Sequence, residues 1–309
     1  MEFFLQVLLL AAGFAMLVKG ADWFVDGASG LAAKFKIPQL VIGLTIVAMG
    51  TSAPEAAVSI SAALKGNADI TIGNIVGSNI LNILIILGIS SLITALTVAK
   101  STVRWELPFL IIISLLHYFQ GLDGIIGFWD GVVQLGLFAI YLGYLLVMAK
   151  KHPDVNPPVL KRLKLWQALV WTALGLALVV WGSDVAVDAA SAIARAMGLS
   201  ERFIGLTIVA LGTSLPELFT SVSAARKGNA DIAIGNIVGS NIFNILFVVG
   251  LSSLIVPVPF AKDFLLDTAV SLGAALLLFV CSLKKRTLKR WHGIVMLLCY
   301  TAYFVWILR

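Results

Sequence analysis

The sequence predicts an all-α integral membrane protein of ten transmembrane helices, arranged as two inverted five-helix repeats. Three observations support this fold class: an apolar composition, an internal repeat and an uneven distribution of basic residues. Of the 309 residues, 60% are hydrophobic and only 12% are charged, whereas about a quarter of the residues in soluble proteins are charged. The composition therefore excludes an ordinary soluble domain and predicts several membrane spans.

The internal repeat is strong. Residues 41–93 align with residues 203–255 at a constant offset of 162 without a gap, and about 39 of the 53 positions are identical. Upstream, three more residues match at the same offset: Gly20, Asp22 and Asp26 meet Gly182, Asp184 and Asp188. The chain therefore contains two copies of one unit.

About 20 apolar residues cross a bilayer once as a helix. On this basis the first copy has spans near 3–30, 39–64, 70–93, 105–120 and 128–149, and the second has spans near 165–196, 202–226, 232–255, 265–282 and 290–308. Five is an odd number, so the second copy enters the membrane from the opposite face, as in the inverted repeats of transporters. The predicted domains are a first repeat at 1–150, a cytoplasmic linker at 151–164 and a second repeat at 165–309.

Basic residues favour one face of this arrangement by roughly three to one, and the positive-inside rule assigns that face to the cytoplasm. Both termini are then predicted to be extracytoplasmic, and the chain is expected in the cell (inner or plasma) membrane. The first span follows acidic Glu2 with no basic segment before it, which favours a retained helix over a signal peptide. Topology also explains the net charge of +6, so we expect no nucleic-acid partner, and no protein partner is evident.

A carboxylate lies inside an apolar span of each copy. The sequence Gly-Thr-Ser-Ala-Pro-Glu ends at Glu55, and Gly-Thr-Ser-Leu-Pro-Glu ends at Glu217. A charge in the bilayer centre costs at least about 2.5 to 3.5 kcal/mol, so it indicates function. Gly and Pro are predicted to interrupt each helix and to free backbone carbonyls. Carbonyls, hydroxyls and carboxylates are hard ligands suited to Ca2+ and Na+, and we interpret the two motifs as halves of one cation site.

A second motif, Gly-Asn-Ile-Val-Gly-Ser-Asn-Ile-x-Asn, spans 73–82 and recurs at 235–244. Its two glycines and its amides imply a helix that is either locally broken or closely packed. Residues four apart share a helix face, so each copy can direct one hydroxyl and one amide oxygen towards the glutamates: Ser78 with Asn82, and Ser240 with Asn244. The remaining amides fit ion binding or interhelical hydrogen bonding equally well: Asn74, Asn79, Asn236 and Asn241.

Together, the two motifs resemble the paired α-repeats of the sodium/calcium exchanger family, within the calcium/cation antiporter superfamily. The resemblance covers both copies and fits the ten-span length of compact prokaryotic members. It implies antiport of Na+ and Ca2+ as transported ions, with no enzymatic activity and no cofactor. It also implies that Glu55 and Glu217 bind Ca2+ and Na+ alternately.

The resemblance assigns further ligands to the site: oxygens of Thr51, Ser52, Thr213 and Ser214, hydroxyls of Ser78 and Ser240, and backbone carbonyls of Ala48 and Ala210. Asn82 is an asparagine in much of the family. At the position of Asn244, several members, including potassium-dependent ones, have an aspartate. The amide here leaves two formal negative charges in the site, which makes potassium dependence less expected and leaves the ion stoichiometry open.

Two alternatives to Na+/Ca2+ exchange stay open. A buried glutamate can carry a proton, so the same site fits a proton/calcium exchanger, although its hydroxyls favour Na+. An inverted repeat can also form a passive cation channel. Outside the motifs, the carboxylates of Asp22, Asp26, Asp184 and Asp188 either reach the membrane surface or pair locally, or they line an entrance for cations. Cys281 and Cys299 lack metal-ligand spacing and are expected to be small buried apolar residues.

Overall fold

The computed structural model describes residues 2–65, 68–151, 163–198 and 210–307. The first half contains helices α1 (Glu2–Phe35), α2 (Gln39–Ile42), α3 (Ala48–Thr51), α4 (Ala53–Leu64), α5 (Asp69–Leu81), α6 (Gly88–Ile93), α7 (Leu107–Gln120) and α8 (Phe128–Lys151). The second half contains α9 (Leu165–Ala196), α10 (Ala210–Gly212), α11 (Leu215–Arg226), α12 (Ala230–Phe243), α13 (Gly250–Ile255), α14 (Asp263–Leu283) and α15 (Arg290–Ile307).

Irregular turns join several of these helices. The described residues include a 3-10 turn at Gly121–Asp123 and four π-helical turns: Gly43–Val47, Asn82–Leu87, Thr102–Glu106 and Asn244–Val249. Because α5 continues through a π turn into α6, and α12 does the same into α13, the second motif lies on a continuous helix in each copy. The alternative of a broken helix is therefore wrong for this motif. Close packing is confirmed in the second copy, where a Cβ atom on Gly235 would lie 3.0 Å from the Gly43 Cα atom, whereas a Cβ atom on Gly77 in the first copy would meet nothing within 4 Å.

In the part of the chain that the structure describes, four short strands, which were not predicted, connect the two halves. They are β1 (Leu96–Thr97), β2 (Ile125–Ile126), β3 (Val258–Pro259) and β4 (Thr287–Leu288). Strand β1 pairs antiparallel with β4, and β2 pairs antiparallel with β3. Each pair satisfies backbone groups at a point where two helices of the different halves begin or end.

The fold is that of a multi-pass membrane protein. In the described part of the chain, seven helices are long and apolar enough to cross a membrane, and the bent pair Gln39–Thr51 and Ala53–Leu64 gives an eighth span if counted as one. The first predicted span extends further than expected, to Phe35. Two of the ten predicted spans are not among these eight. The span at 202–226 falls partly outside the described residues, and the span at 290–308 corresponds to α15, an 18-residue helix.

The expectation that both cysteines are buried is wrong. Cys281 is half-buried, and Cys299 is exposed because α15 buries only one side.

The two long helices α1 and α9 pack against each other in antiparallel orientation. Gly13 faces Gly182, and Gly20 faces Gly175 about two turns further along α1. A Cβ atom on Gly175 would lie 2.3 Å from the Phe24 backbone nitrogen, so the two backbones touch where only glycine fits. Gly20 and Gly182, which match at the offset of 162, both lie in this contact, and α1 with α9 forms a tightly packed pair.

We expect Gly175→Ala to destabilise the protein, because the added methyl group overlaps the α1 backbone and overpacking typically costs about 1 to 3 kcal/mol. The matched control is Gly143→Ala in α8, where a Cβ atom would meet nothing within 4 Å. There the better helix propensity of alanine should leave stability unchanged or higher. Thermal unfolding of both variants in the same detergent compares them, and equal midpoints would contradict the packing argument.

Candidate cation-binding site

The first motif breaks its helix, as the sequence predicts. Helix α3 ends at Thr51, Ser52 leaves the helical conformation with φ −82° and ψ 8°, and α4 begins at Ala53 with a bend of 49°. Pro54 is tolerated here because the first turn of a helix has no partner for its backbone N–H. Glu55 therefore lies in the first turn of α4, where the helix dipole favours a negative charge.

The second copy has the same break. Ser214 adopts φ −90° and ψ 1°, α11 begins at Leu215, and Pro216 precedes Glu217 in the first turn. Neither Ser52 nor Ser214 caps its own helix through its side chain. Their hydroxyls are therefore available for other contacts.

The two glutamates are buried and lie near each other. Glu55 is 1% exposed and Glu217 is 0% exposed, and their carboxylates are close enough to interact electrostatically. The Ser52 hydroxyl donates a hydrogen bond of 2.7 Å to Glu217 Oε1 across the two copies. The two helix breaks thus bring both carboxylates into one region of the interior.

Several oxygens in this region have no hydrogen-bond partner among the described residues. Among the described residues, the buried oxygens that lack a partner include Glu55 Oε1, Glu55 Oε2, Glu217 Oε2, Asn82 Oδ1, Asn244 Oδ1, Thr213 Oγ1 and Ser214 Oγ. Buried polar atoms are normally paired, and two buried carboxylates without a counter-charge are unfavourable. A dehydrated hard cation is the ligand that this set of oxygens suits.

Amides from the two copies cross in the middle of the structure. Asn82 donates its amide N–H to Asn241 Oδ1 at 2.9 Å, and Asn244 donates to Asn79 Oδ1 at 3.1 Å. Because their nitrogens are held in this way, Asn82 and Asn244 keep their Oδ1 atoms unpaired. The π turn that begins at Asn244 packs against α4, and the turn that begins at Asn82 packs against α11. Each amide oxygen therefore belongs to a segment that contacts a glutamate-bearing helix of the other copy.

A second pair of amides donates hydrogen bonds to the backbone carbonyls of the two glutamates. Asn74 donates to the Glu55 backbone carbonyl at 3.3 Å and to Ser59 Oγ at 3.0 Å. In the other copy, Asn236 donates to the Glu217 carbonyl at 3.4 Å and to Ser221 Oγ at 2.9 Å. These amides were expected either to bind an ion or to form interhelical hydrogen bonds. The structure shows hydrogen bonds, for Asn74 and Asn236 in the contacts above, and for Asn79 and Asn241 with Asn244 and Asn82.

The sequence analysis missed Ser59 and Ser221. A signal for them was present, because each follows its glutamate by four residues, one helical turn, and each is identical in the two copies. Their hydroxyls accept the second hydrogen bond of the supporting amides. They help to fix the rotation of α4 and α11.

The other predicted ligands lie in or beside the same region. Thr51 is fully buried and donates to Asn236 Oδ1 at 3.0 Å. Ser240 donates to the Ala48 carbonyl at 3.3 Å and lies close to the Glu217 carboxylate, and Ser78 lies close to Glu55. Ala210 is the first described residue of the second broken segment, and the contacts of its carbonyl lie outside what the structure describes.

The candidate site contains two acidic residues. In the part of the chain that the structure describes, no group of three or more His, Cys, Asp or Glu residues can hold a metal ion. The donors are therefore mainly neutral oxygens around a pair of carboxylates. The fold and this region define a helical membrane protein with a buried oxygen cluster of the kind that binds hard cations.

Comparison with known proteins identifies the family. The model of the sodium/calcium exchanger protein family matches the chain twice, at residues 5–147 and 167–309. The chain therefore belongs to the sodium/calcium exchanger family. As a member it is a membrane transporter rather than an enzyme, and the ions are its cargo rather than cofactors.

Relatives and solved structures agree with this assignment. The putative antiporter CaxA of Alkalimonas amylolytica is 42% identical over 308 residues, with 96% of each chain covered. The sodium/calcium exchanger MaX1 of Methanosarcina acetivorans is 31% identical, with 96% of this chain and 97% of the relative covered. The sodium-calcium exchanger NCX_Mj, soaked with 2.5 mM Na+ and 10 mM Sr2+, superposes with a TM-score of 0.87 at 34% identity over 98% of this chain and 99% of that one.

We expect Asn74→Leu and Asn236→Leu each to weaken Ca2+ binding about 10- to 100-fold, the usual effect of losing a group that orients a metal ligand. Each change removes both hydrogen bonds that hold the glutamate-bearing helix. Calcium titration of the purified protein by calorimetry measures the effect. The control is Gln134→Leu, which removes a buried amide bonded to Gln120 in a different helix pair; a loss as large in the control would contradict a specific role for the two asparagines.

Proposed function

We propose that the chain exchanges Na+ for Ca2+ across the membrane, using one site centred on Glu55 and Glu217. One observation carries the proposal: two buried carboxylates from the two copies lie together, and three of their four oxygens have no hydrogen-bond partner among the described residues. Two ionised carboxylates neutralise one Ca2+ or two Na+. Because both ions need the same oxygens, binding of one displaces the other.

The proposed ligands around the glutamates are those of the two broken helices and the two second motifs. They are Thr51, Ser52, Thr213, Ser214, Ser78, Ser240, Asn82 and Asn244, with the backbone carbonyls of Ala48 and Ala210. The unpaired oxygens of Asn82, Asn244, Thr213 and Ser214 support this set. The Ala48 carbonyl accepts hydrogen bonds from Thr51 and Ser240, and a bound cation would compete with these hydroxyl donors.

We further propose that transport uses ten spans in two inverted repeats, 1–150 and 165–309, joined by the cytoplasmic linker 151–164, with both termini outside the cytoplasm. The antiparallel packing of α1 and α9 supports the inversion. In this arrangement α1 and α9 move as one unit against the bundle that contains the site, opening it to each side in turn. The empty site, with two unneutralised charges, resists closing in low dielectric, so only the loaded carrier crosses.

In sealed vesicles, we expect Glu55→Gln and Glu217→Gln each to abolish Ca2+ uptake driven by a Na+ gradient, because each removes one of the two charges that balance the ion. The control is Glu106→Gln, which changes a buried glutamate that is bonded to Tyr144 in another part of the fold. This control should keep transporting. Intact uptake in either site variant would refute the proposed site.

The same vesicles separate the two alternatives. Uptake with a Na+ gradient at equal pH indicates Na+ exchange, whereas uptake with a pH gradient in the absence of Na+ indicates a proton/calcium exchanger. A passive channel cannot accumulate Ca2+ against its own gradient. Exchange with Na+ should therefore appear as uphill Ca2+ accumulation that stops when the Na+ gradient is removed.

A further inference from the structure

An ion pair joins the end of α11 to the long helix α1. Lys227 follows α11, and its Nζ atom lies 2.6 Å from Asp26 Oδ1, 2.6 Å from the Asp22 carbonyl and 3.7 Å from Asp22 Oδ1. Ser223, one turn earlier, donates to Asp22 Oδ1 at 2.6 Å. The Asp26 side chain is only 7% exposed and that of Lys227 is 21% exposed, so water screens this contact weakly.

All four residues of this contact have an identical counterpart in the other copy at the offset of 162: Ser61, Lys65, Asp184 and Asp188 correspond to Ser223, Lys227, Asp22 and Asp26. Among the described residues, the counterparts form no such ion pair. Lys65 forms no ion pair with any residue that the structure describes, and Lys65, Asp184 and Asp188 are all exposed. The same four residue types are thus engaged in one copy and free of ion pairs in the other.

Helix packing has the same asymmetry. Helix α1 packs along α11, where Phe14 meets Phe219 with ring centroids 6.0 Å apart. The corresponding pair of the other copy, α9 and α4, has no comparable packing in the described part of the chain. The α1–α9 pair therefore packs more extensively against α11 than against α4.

We propose that the two sets of residues are alternating latches of the transport cycle. Lys227 with Asp22 and Asp26 closes one end of the ion path in the conformation described here. When α1 and α9 move together, this contact breaks, and Lys65 pairs with Asp184 and Asp188 to close the other end. Because α1 and α9 are tightly packed, formation of one latch requires release of the other. The inference rests on the proposed exchange function, which supplies the two conformations.

Cysteine cross-linking tests the latches without measuring transport. In a background with Cys281→Ser and Cys299→Ser, the pair Asp188→Cys and Lys65→Cys reports the latch that is open here. We expect this pair to form a disulfide in membranes under mild oxidation. Adding Lys227→Met removes the opposing latch and should increase the yield at least about threefold, whereas Lys227→Arg, which keeps the charge, should change it little.

Two results would overturn the latches: failure of the 65–188 pair to cross-link in folded protein, or a yield that Lys227→Met leaves unchanged. Monodisperse elution in detergent verifies folding of each variant. Failure of the exchange proposal is distinguishable, since Glu55→Gln would then transport normally while the cross-linking yields still reported the two conformations.

A separate observation concerns a basic pocket of about 330 Å3 between the segment that precedes α7 and the end of α14. It is lined by Lys100, Val103, Arg104, Leu283, Lys284, Lys285 and Arg286. Acidic residues are absent from its lining, and none of its five cationic side chains forms an ion pair with a described residue. Five converging positive charges without a counter-ion favour an anionic ligand.

The position of this pocket points to a lipid. Strands β1 and β4 pair beside it, and Val98 donates to the Arg286 carbonyl at 2.8 Å, which holds Arg286 at a left-handed φ of 47°. Trp105 and Trp291 are exposed nearby in sequence, as aromatic residues are at the membrane surface. We infer that the pocket binds the phosphate headgroup of an anionic phospholipid, with Val103 and Leu283 against its apolar part.

Native mass spectrometry of the purified protein tests this site. With added phosphatidylglycerol we expect retained lipid adducts, and with phosphatidylcholine few. The triple variant Lys284→Gln, Lys285→Gln and Arg286→Gln should lose most of the phosphatidylglycerol adducts, whereas Lys150→Gln with Lys151→Gln should retain them. Unchanged adducts in the triple variant would exclude the pocket, and displacement of the lipid by millimolar inorganic phosphate would show a site for free anions instead.

Discussion

The structure depends on one electrostatic constraint: two carboxylates are held together in the interior, and no cation among the described residues pairs with them. Glu55 and Glu217 are almost fully buried, and an unpaired charge in low dielectric is costly. The surrounding elements reduce that cost in part. The helix breaks place each carboxylate at a helix N-terminus, and Ser52 donates to Glu217. In the proposed exchanger, the bound ion offsets the rest of this cost, so ion binding is also expected to stabilise the folded site.

The amides make this site rigid, and the helix packing around it leaves room for movement. Asn74 and Asn236 fix the two glutamate-bearing helices against their neighbours within each copy. By contrast, α1 contacts α11 through an ion pair and side-chain packing at its periphery. Paired hydrogen bonds around the proposed ion site, and an ion pair with side-chain packing further out, suit a protein in which the site stays intact while access to it changes.

The sequence predicted the membrane class, the family and the breaks before Glu55 and Glu217. The internal repeat, the length of the apolar segments and the Gly-Thr-Ser-x-Pro-Glu motif are all visible in the sequence without knowledge of tertiary contacts. Other features depend on packing between distant segments and were not predictable from one sequence. The β1–β4 and β2–β3 pairs are two residues long and join opposite halves. The choice of Asn74 for support and of Asn82 for an unpaired oxygen also depends on neighbours that the helical pattern does not identify. The predicted ion ligands and the ten-span topology stay predictions.

The contact between Asn79 and Asn241 has a further consequence. Each of these equivalent residues donates its side-chain amide to the backbone carbonyl of the other, at 3.4 and 3.1 Å. Such a reciprocal contact between identical residues is the one that a twofold-symmetric, self-complementary interface requires. A chain that carried a single repeat would therefore make the same contact in a twofold-symmetric homodimer, with one asparagine from each copy.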